Sequence, residues 1–184
     1  MNNLTQEELL HLAVEATRRG EHGASISYLK EGVSRFPDDA KLAYVLGAEF
    51  AQIGIYDKAE LEMQRAISID PELFTASFQL GLLQMTLGKV EEAKLTWKNI
   101  DKLPNEHSLW QFKTGLEQLA AEQYLNARKL IEQGIVSNDF SLELNRDMDT
   151  ILTSIPTEEA ALEKLESNSV EGQAWLNAYK TDSE

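Results

Sequence analysis

The segment AKLAYVLGAEFAQIGIYDKAELEMQRAISIDPEL, residues 40–73, holds two apolar patterns separated by Gly54 and closed by Pro71. Leu46, Phe50, Met63, Ala66 and Ile67 recur at helical spacing, so each pattern is one face of an amphipathic helix. Gly47 and Ala59 are small where two such helices would cross. Gly54 falls where the chain must reverse, and a glycine turns there at least steric cost. Proline opens a helix but does not continue one, so Pro71 marks the next start. The segment therefore predicts a pair of antiparallel helices joined by a tight turn.

The same pattern repeats along the chain. Ala13, Gly47, Gly81 and Gly115 are 34 residues apart, as are Gly20, Gly54 and Gly88. Ser25, Ala59, Ala93 and Ala127 keep the period, and so do Leu29, Met63, Trp97 and Ile131. Leu12, Leu46 and Leu80 follow it, and Pro37 and Pro71 are one period apart, with Pro104 one residue short of the next step. A hairpin alone cannot cover its apolar face, so such units must stack.

Large, small and proline positions in this order, at this period, resemble the tetratricopeptide repeat (TPR). The second repeat matches best, as Ala43-x2-Leu46-Gly47-x2-Phe50, Ala59-x3-Met63 and Pro71. The fourth departs most, with Thr114 in place of leucine and Glu122 at the turn glycine. The resemblance implies an all-α fold, a right-handed superhelical solenoid of helical hairpins with C-terminal capping helices. The array is expected over residues 6–139, with repeats at about 6–39, 40–73, 74–107 and 108–139.

Residues 140–184 read as capping helices and an acidic tail that leave the repeat. Leu144, Met148, Ile151, Leu152 and Ile155 lie on one helical face, which predicts a helix over 141–154 ending near Pro156. A second helix is expected after Thr157, with Leu162 and Leu165 on its apolar side, followed by a segment bearing Trp175, Leu176 and Tyr179.

The formal net charge is −14. That balance repels phosphate backbones and anionic membranes, so the expected partner is a protein or peptide and not nucleic acid. There is no cysteine, which excludes disulfides and thiolate chemistry. No basic stretch followed by an apolar run opens the sequence, and no run suits a membrane span. The expectation is a cytoplasmic location without membrane insertion.

Motifs that could carry chemistry are incomplete along the chain. Gly81 to Lys89 has glycine and lysine ends like a phosphate loop, but six residues separate Gly81 from Gly88, and Val90 replaces the magnesium-binding hydroxyl. Glu7 and His11 are a helical turn apart without a second histidine to complete a metal site. Glu91–Glu92 and Glu158–Glu159 are adjacent, and so point apart on a helix. No Gly-x-Ser-x-Gly elbow is present. The expectation is a protein that is not an enzyme, with no catalytic residues, cofactor or metal.

The TPR resemblance also implies where binding occurs. First helices line a concave face with their second, fifth, ninth and twelfth positions, which form one stripe. Here these are Glu7, Leu10, Val14 and Thr17; Lys41, Tyr44, Ala48 and Ala51; Thr75, Phe78, Leu82 and Met85; and Leu109, Phe112, Leu116 and Leu119. The expected groove consists of Leu10, Val14, Tyr44, Ala48, Phe78, Leu82, Met85, Phe112, Leu116 and Leu119. Two readings stay open at this point. The stripe receives an apolar segment of a partner, or its fifth-position residues pack internally and the C-terminal segment, from the same chain or a second copy, covers the rest. Heat-shock adaptors of the family grip a terminal carboxylate with Lys and Asn. Leu10, Val14, Val45, Thr75 and Gln79 stand at those places, so that ligand is not expected. The function implied is a protein-binding adaptor or scaffold. The alternatives are a bacterial secretion chaperone holding apolar cargo and a non-catalytic regulatory subunit.

Overall fold

The computed structural model describes residues 4–156. The described residues are helical without a strand. The order is α1 (Gln6–Arg18), α2 (His22–Arg35), α3 (Ala40–Gln52), α4 (Tyr56–Ile69), α5 (Phe74–Thr86), α6 (Val90–Trp97), a 3-10 segment (Lys98–Lys102), α7 (Ser108–Ala120), α8 (Tyr124–Ser137) and α9 (Leu142–Ser154). The expected second tail helix and the Trp175–Tyr179 segment lie outside the described residues.

The chain forms two compact units, divided between Leu103 and Pro104. The first contains the hairpins α1–α2, α3–α4 and α5–α6, with α2 packed on α3 and α4 on α5. Its core runs through Ala13, Leu29, Leu42, Leu46, Phe50, Ala59, Met63 and Leu80. The second unit contains the α7–α8 hairpin, with α9 packed on α8.

Helix starts follow from local chemistry. Thr5 and Glu8 form a capping box at α1, with the Thr5 hydroxyl accepting from the Glu8 amide at 3.3 Å and the Glu8 carboxylate accepting from the Thr5 amide at 2.7 Å. Those bonds hold the Glu8 carboxyl below its ordinary pKa. Asp39 caps α3 and Ser141 caps α9 through their side chains. Leu103, just before Pro104, is extended (φ −77°, ψ 148°). The preceding turn is correspondingly wound as 3-10 rather than α.

The hairpin turns are left-handed at one residue. Gly20, Gly54 and Gly88 have φ of 75°, 77° and 76°, and Glu122 has φ of 59° in the same place. In the fourth hairpin the Gln123 amide returns to the Gln118 carbonyl at 2.9 Å, as the Lys89 amide does to Gln84 at 2.8 Å in the third. Glu122 thus accepts a conformation that costs a side-chain-bearing residue about 1–2 kcal/mol. Glycine relieves that strain but loses more entropy on folding. Glu122→Gly is therefore expected to raise stability by about 0.5–1 kcal/mol, read as a higher urea midpoint with an unchanged slope.

In α3–α4, α5–α6 and α7–α8 the two helices meet at a glycine of the first, Gly47, Gly81 and Gly115. A Cβ at Gly47 would sit 2.7 Å from Met63 Cγ, and one at Gly81 would enter the Trp97 indole. Trp97 is fully buried and donates from Nε1 to the Phe78 carbonyl at 3.1 Å.

The start of α9 also falls in step with the hairpins. The odd-numbered helices begin at residues 6, 40, 74, 108 and 142, so α9 keeps the 34-residue register as a fifth first helix. Its sequence hides this, because Asp149 occupies the place of Gly47, Gly81 and Gly115. The helix itself falls where expected, with Leu144 and Met148 buried.

Candidate functional site

The candidate site is the stripe on the first helices. In the first unit, Leu10, Val14, Tyr44, Ala48, Leu82 and Met85 are half-buried. Leu10 and Ala48 rest on the core cluster beneath them. Tyr44 packs against the group of Ala43, Ala66 and Ala76, and this burial pushes its phenol pKa up. These six side chains keep part of their apolar surface toward solvent while their bases are fixed by packing. Glu7 and Lys41, at the start of the stripe, are exposed.

Three of the expected groove residues are not available to a ligand. Phe78 is fully buried and stacks on Trp97, with ring centroids 5.9 Å apart and planes 18° apart. In the second unit Phe112 is also fully buried, pressed so near α8 that a Cβ at Gly134 would lie 2.5 Å from its ring. Leu116 is 4% exposed. Of the three groove residues expected on α7, only Leu119 keeps partial exposure, and on α5 Leu82 and Met85 do. The reason is geometric. A fifth-position side chain on the first helix points back toward the second helix, and a large ring is drawn into the hairpin wherever a glycine or an aromatic partner receives it.

In α9 the equivalent positions are Glu143, Arg146, Thr150 and Thr153, all exposed. The apolar stripe therefore stops with α7. Within α1, α3, α5 and α7 only Glu7 is acidic among its sixteen positions, in a chain with 31 acidic residues. The face is selectively depleted of negative charge.

Sequence reasoning missed a buried polar cluster in the first unit. Glu49 is 3% exposed. Its Oε1 lies 2.7 Å from His22 Nδ1, and its Oε2 accepts from the Thr17 hydroxyl at 2.7 Å. The Ser25 hydroxyl is 2.9 Å from that of Thr17. Serine, histidine and glutamate are thus close together, but Ser25 is fully buried and faces Thr17. The arrangement lacks the exposed nucleophile beside a base that acyl transfer requires. It ties α1 and α2 to α3. No signal in the sequence marked Glu49, because the equivalent positions hold Glu15, Leu83 and Glu117, and residue type does not set it apart from them.

A cavity of about 370 Å³ lies by the α2–α3 loop, between Gln6, Arg35, Phe36, Pro37, Asp38 and Asp39. Among the described residues no helix is long and apolar enough to cross a membrane. No group of three or more His, Asp and Glu is placed to hold a metal ion among them.

No family model matches the chain. Among curated proteins it is similar to the small glutamine-rich tetratricopeptide repeat-containing protein 2 of Saccharomyces cerevisiae, with 25% identity over 143 residues, which is 78% of this chain and 39% of the yeast protein. The chain thus spans well under half of that relative. Among solved structures it is similar to MamA, at a TM-score of 0.60 and 22% identity over 72% of this chain and 78% of that one. MamA residues 41 to the end from Desulfovibrio magneticus RS-1 give a TM-score of 0.60 at 16% identity, covering 92% of this chain and 96% of that one. A tetratricopeptide repeat protein from Parabacteroides merdae gives 0.59 at 21% identity, over 80% of this chain and 58% of that one. The fold is that of a helical-hairpin repeat solenoid, a class whose stacked units build binding surfaces. That fold is the one of tetratricopeptide-repeat proteins, and the curated relative is itself one by its name.

Proposed function

We propose that the first-helix face of the first unit binds a largely uncharged, apolar segment of another polypeptide, and that the protein is a non-catalytic adaptor. The observation that carries this reading is the set of half-buried residues Leu10, Val14, Tyr44, Ala48, Leu82 and Met85, on a stripe with Glu7 as its single acid. Such a face offers apolar contact with fixed geometry, and its one cation in the first unit, Lys41, stands without the further Lys and Asn that would grip a terminal carboxylate. A strongly basic segment finds only the single carboxylate of Glu7 there. Binding a few side chains in this way offsets the cost of ordering them only modestly, so affinities of about 1 μM are expected.

The test is selection of peptides from a random display library on full-length protein. Selected sequences are expected to be apolar and poor in Lys and Arg. The double variant Leu82→Glu with Met85→Glu should weaken the best peptide by roughly tenfold or more while leaving helical content intact. Leu61→Glu, an exposed position on α4, should change nothing. Equal binding by the double variant and wild type would place the ligand elsewhere and remove the proposal.

A further inference from the structure

The elbow between α8 and α9 exposes three apolar side chains within seven residues. Val136 is 89%, Phe140 49% and Leu142 72% exposed. The repeat does not require apolar residues there. One, two and three periods before Val136 stand Lys102, Ser68 and Ser34, and before Phe140 stand Glu106, Glu72 and Asp38. Leu142 differs, since its counterparts are Ser108, Phe74 and Ala40, but at the Val136 and Phe140 positions the earlier junctions place only polar residues, so there the fourth carries apolar surface that folding does not use.

The elbow is also fixed. Asn138, almost fully buried, donates from Nδ2 to the Ser141 carbonyl at 2.8 Å and to Asn145 Oδ1 at 2.6 Å. Asn145 Nδ2 returns to the Ile135 carbonyl at 3.5 Å. The Phe140 ring lies 6.3 Å from that of His107. A rigid apolar patch loses little entropy when a partner covers it.

Its surroundings are acidic. Glu132, Asp139, Glu143, Asp147 and Asp149 are exposed around the elbow and along α9, against Lys129 and Arg146. Arg128 is engaged by Glu132 and by the Leu152 and Ile155 carbonyls. Partial burial and the neighbouring Glu143 charge push the Asp147 carboxyl pKa up. That like-charge strain is relieved by an incoming cation.

We propose that the α8–α9 elbow is a second docking surface, which takes a basic amphipathic helix of a partner protein, its apolar side on Val136, Phe140 and Leu142 and its Lys or Arg side toward the acids. Charge selects this occupant over the others. The chain's own residues 157–184 carry Glu158, Glu159, Glu163, Glu166, Glu171, Asp182 and Glu184 against Lys164 and Lys180, and the elbow would repel them. A second copy packed elbow to elbow would oppose the same acids to each other.

The test uses full-length protein and a labelled Leu/Lys amphipathic helical peptide, titrated by fluorescence anisotropy at about 0.1 M salt, where longer-range attraction is screened. The triple variant V136S/F140E/L142S installs residue types that the chain carries at earlier junctions, and circular dichroism checks that it folds. It also adds a negative charge, so attraction by charge alone would persist or increase. The expected result is binding by wild type, a loss of at least roughly tenfold in the triple variant, and no binding of the Leu/Glu counterpart by wild type. Retained binding in the triple variant, or equal binding of the Leu/Glu peptide, would overturn the proposal. So would a change in sedimentation of the triple variant from dimer to monomer, which would make the elbow an interface between copies. Loss of peptide binding in Leu82→Glu with Met85→Glu, with the triple variant unaffected, would assign the peptide to the first-helix face and overturn the elbow alone.

Discussion

Phe78→Asp is expected to unfold the first unit rather than to weaken a ligand. The side chain is fully buried and stacked on Trp97, whose indole donates to the Phe78 carbonyl. Removing the ring costs about 3–5 kcal/mol by the usual scale of aromatic truncations. Placing a carboxyl group in the same apolar site adds on the order of another 1–3 kcal/mol even when it protonates. A domain is stable by only about 5–15 kcal/mol, so the sum removes most or all of it. Loss of helical ellipticity and of a cooperative urea transition at room temperature is the expected outcome. The contrast with Leu82→Glu and Met85→Glu, four and seven positions along the same helix, separates the inner and outer sides of α5. A native-like transition for Phe78→Asp would mean that the ring faces the groove after all.

The difference between Phe78 and Leu82 marks how far the sequence was legible. Period and residue size placed every hairpin, because glycine at 47, 81 and 115 and glycine at the turns each answer a geometric need that recurs. They also fixed which helix faces the core. They did not fix which stripe residues keep surface exposed. Phe78 and Tyr44 hold the same position in successive repeats, yet one is fully buried and the other half-buried. What decides is the partner across the hairpin. Phe78 meets Trp97, where Tyr44 meets the small Ala66 group. That pairing is a property of two helices together, and a stripe drawn on one helix does not contain it.

Helix α9 was legible as a helix but not as a repeat element. Its apolar face, Leu144 and Met148, was plain, and the Ser141 cap and Pro156 bracket it. Its register is masked because Asp149 replaces the glycine that marks the first helices of hairpins two to four. The glycine is needed only where a second helix crosses closely, whereas the start of α9 is set by the preceding hairpin and turn. The Val136–Phe140–Leu142 elbow was likewise readable in principle. Comparing each junction with its counterparts one period earlier reveals the change from polar to apolar, a signal that a search for shared residues passes over.

His22→Ala should destabilise the first unit more than removing the carboxylate that His22 holds. Glu49 is the acceptor at the centre of the buried cluster, with its side chain 2% exposed and that of His22 33% exposed. Both carboxylate oxygens are satisfied, one by His22 Nδ1 and one by Thr17. Removing His22 leaves a buried carboxylate with one oxygen short of a charge-assisted partner, a loss of about 2–3 kcal/mol. Water entering from the exposed side of His22 keeps the figure at this level rather than the larger cost of a fully enclosed charge. Glu49→Gln removes the charge and keeps an acceptor and the shape, and Thr17 can turn its hydroxyl to the Ala13 carbonyl, 3.1 Å away. That change is expected to cost about 1 kcal/mol. In the Glu49→Gln background His22→Ala should then cost about 1 kcal/mol or less, so a double-mutant cycle by urea unfolding gives a coupling of about 1–2 kcal/mol. Because Thr17 and Ser25 belong to the first repeat and Glu49 to the second, this coupling measures how firmly polar contacts join neighbouring hairpins. Equal costs of His22→Ala in the two backgrounds would show that the cluster does not act as a unit.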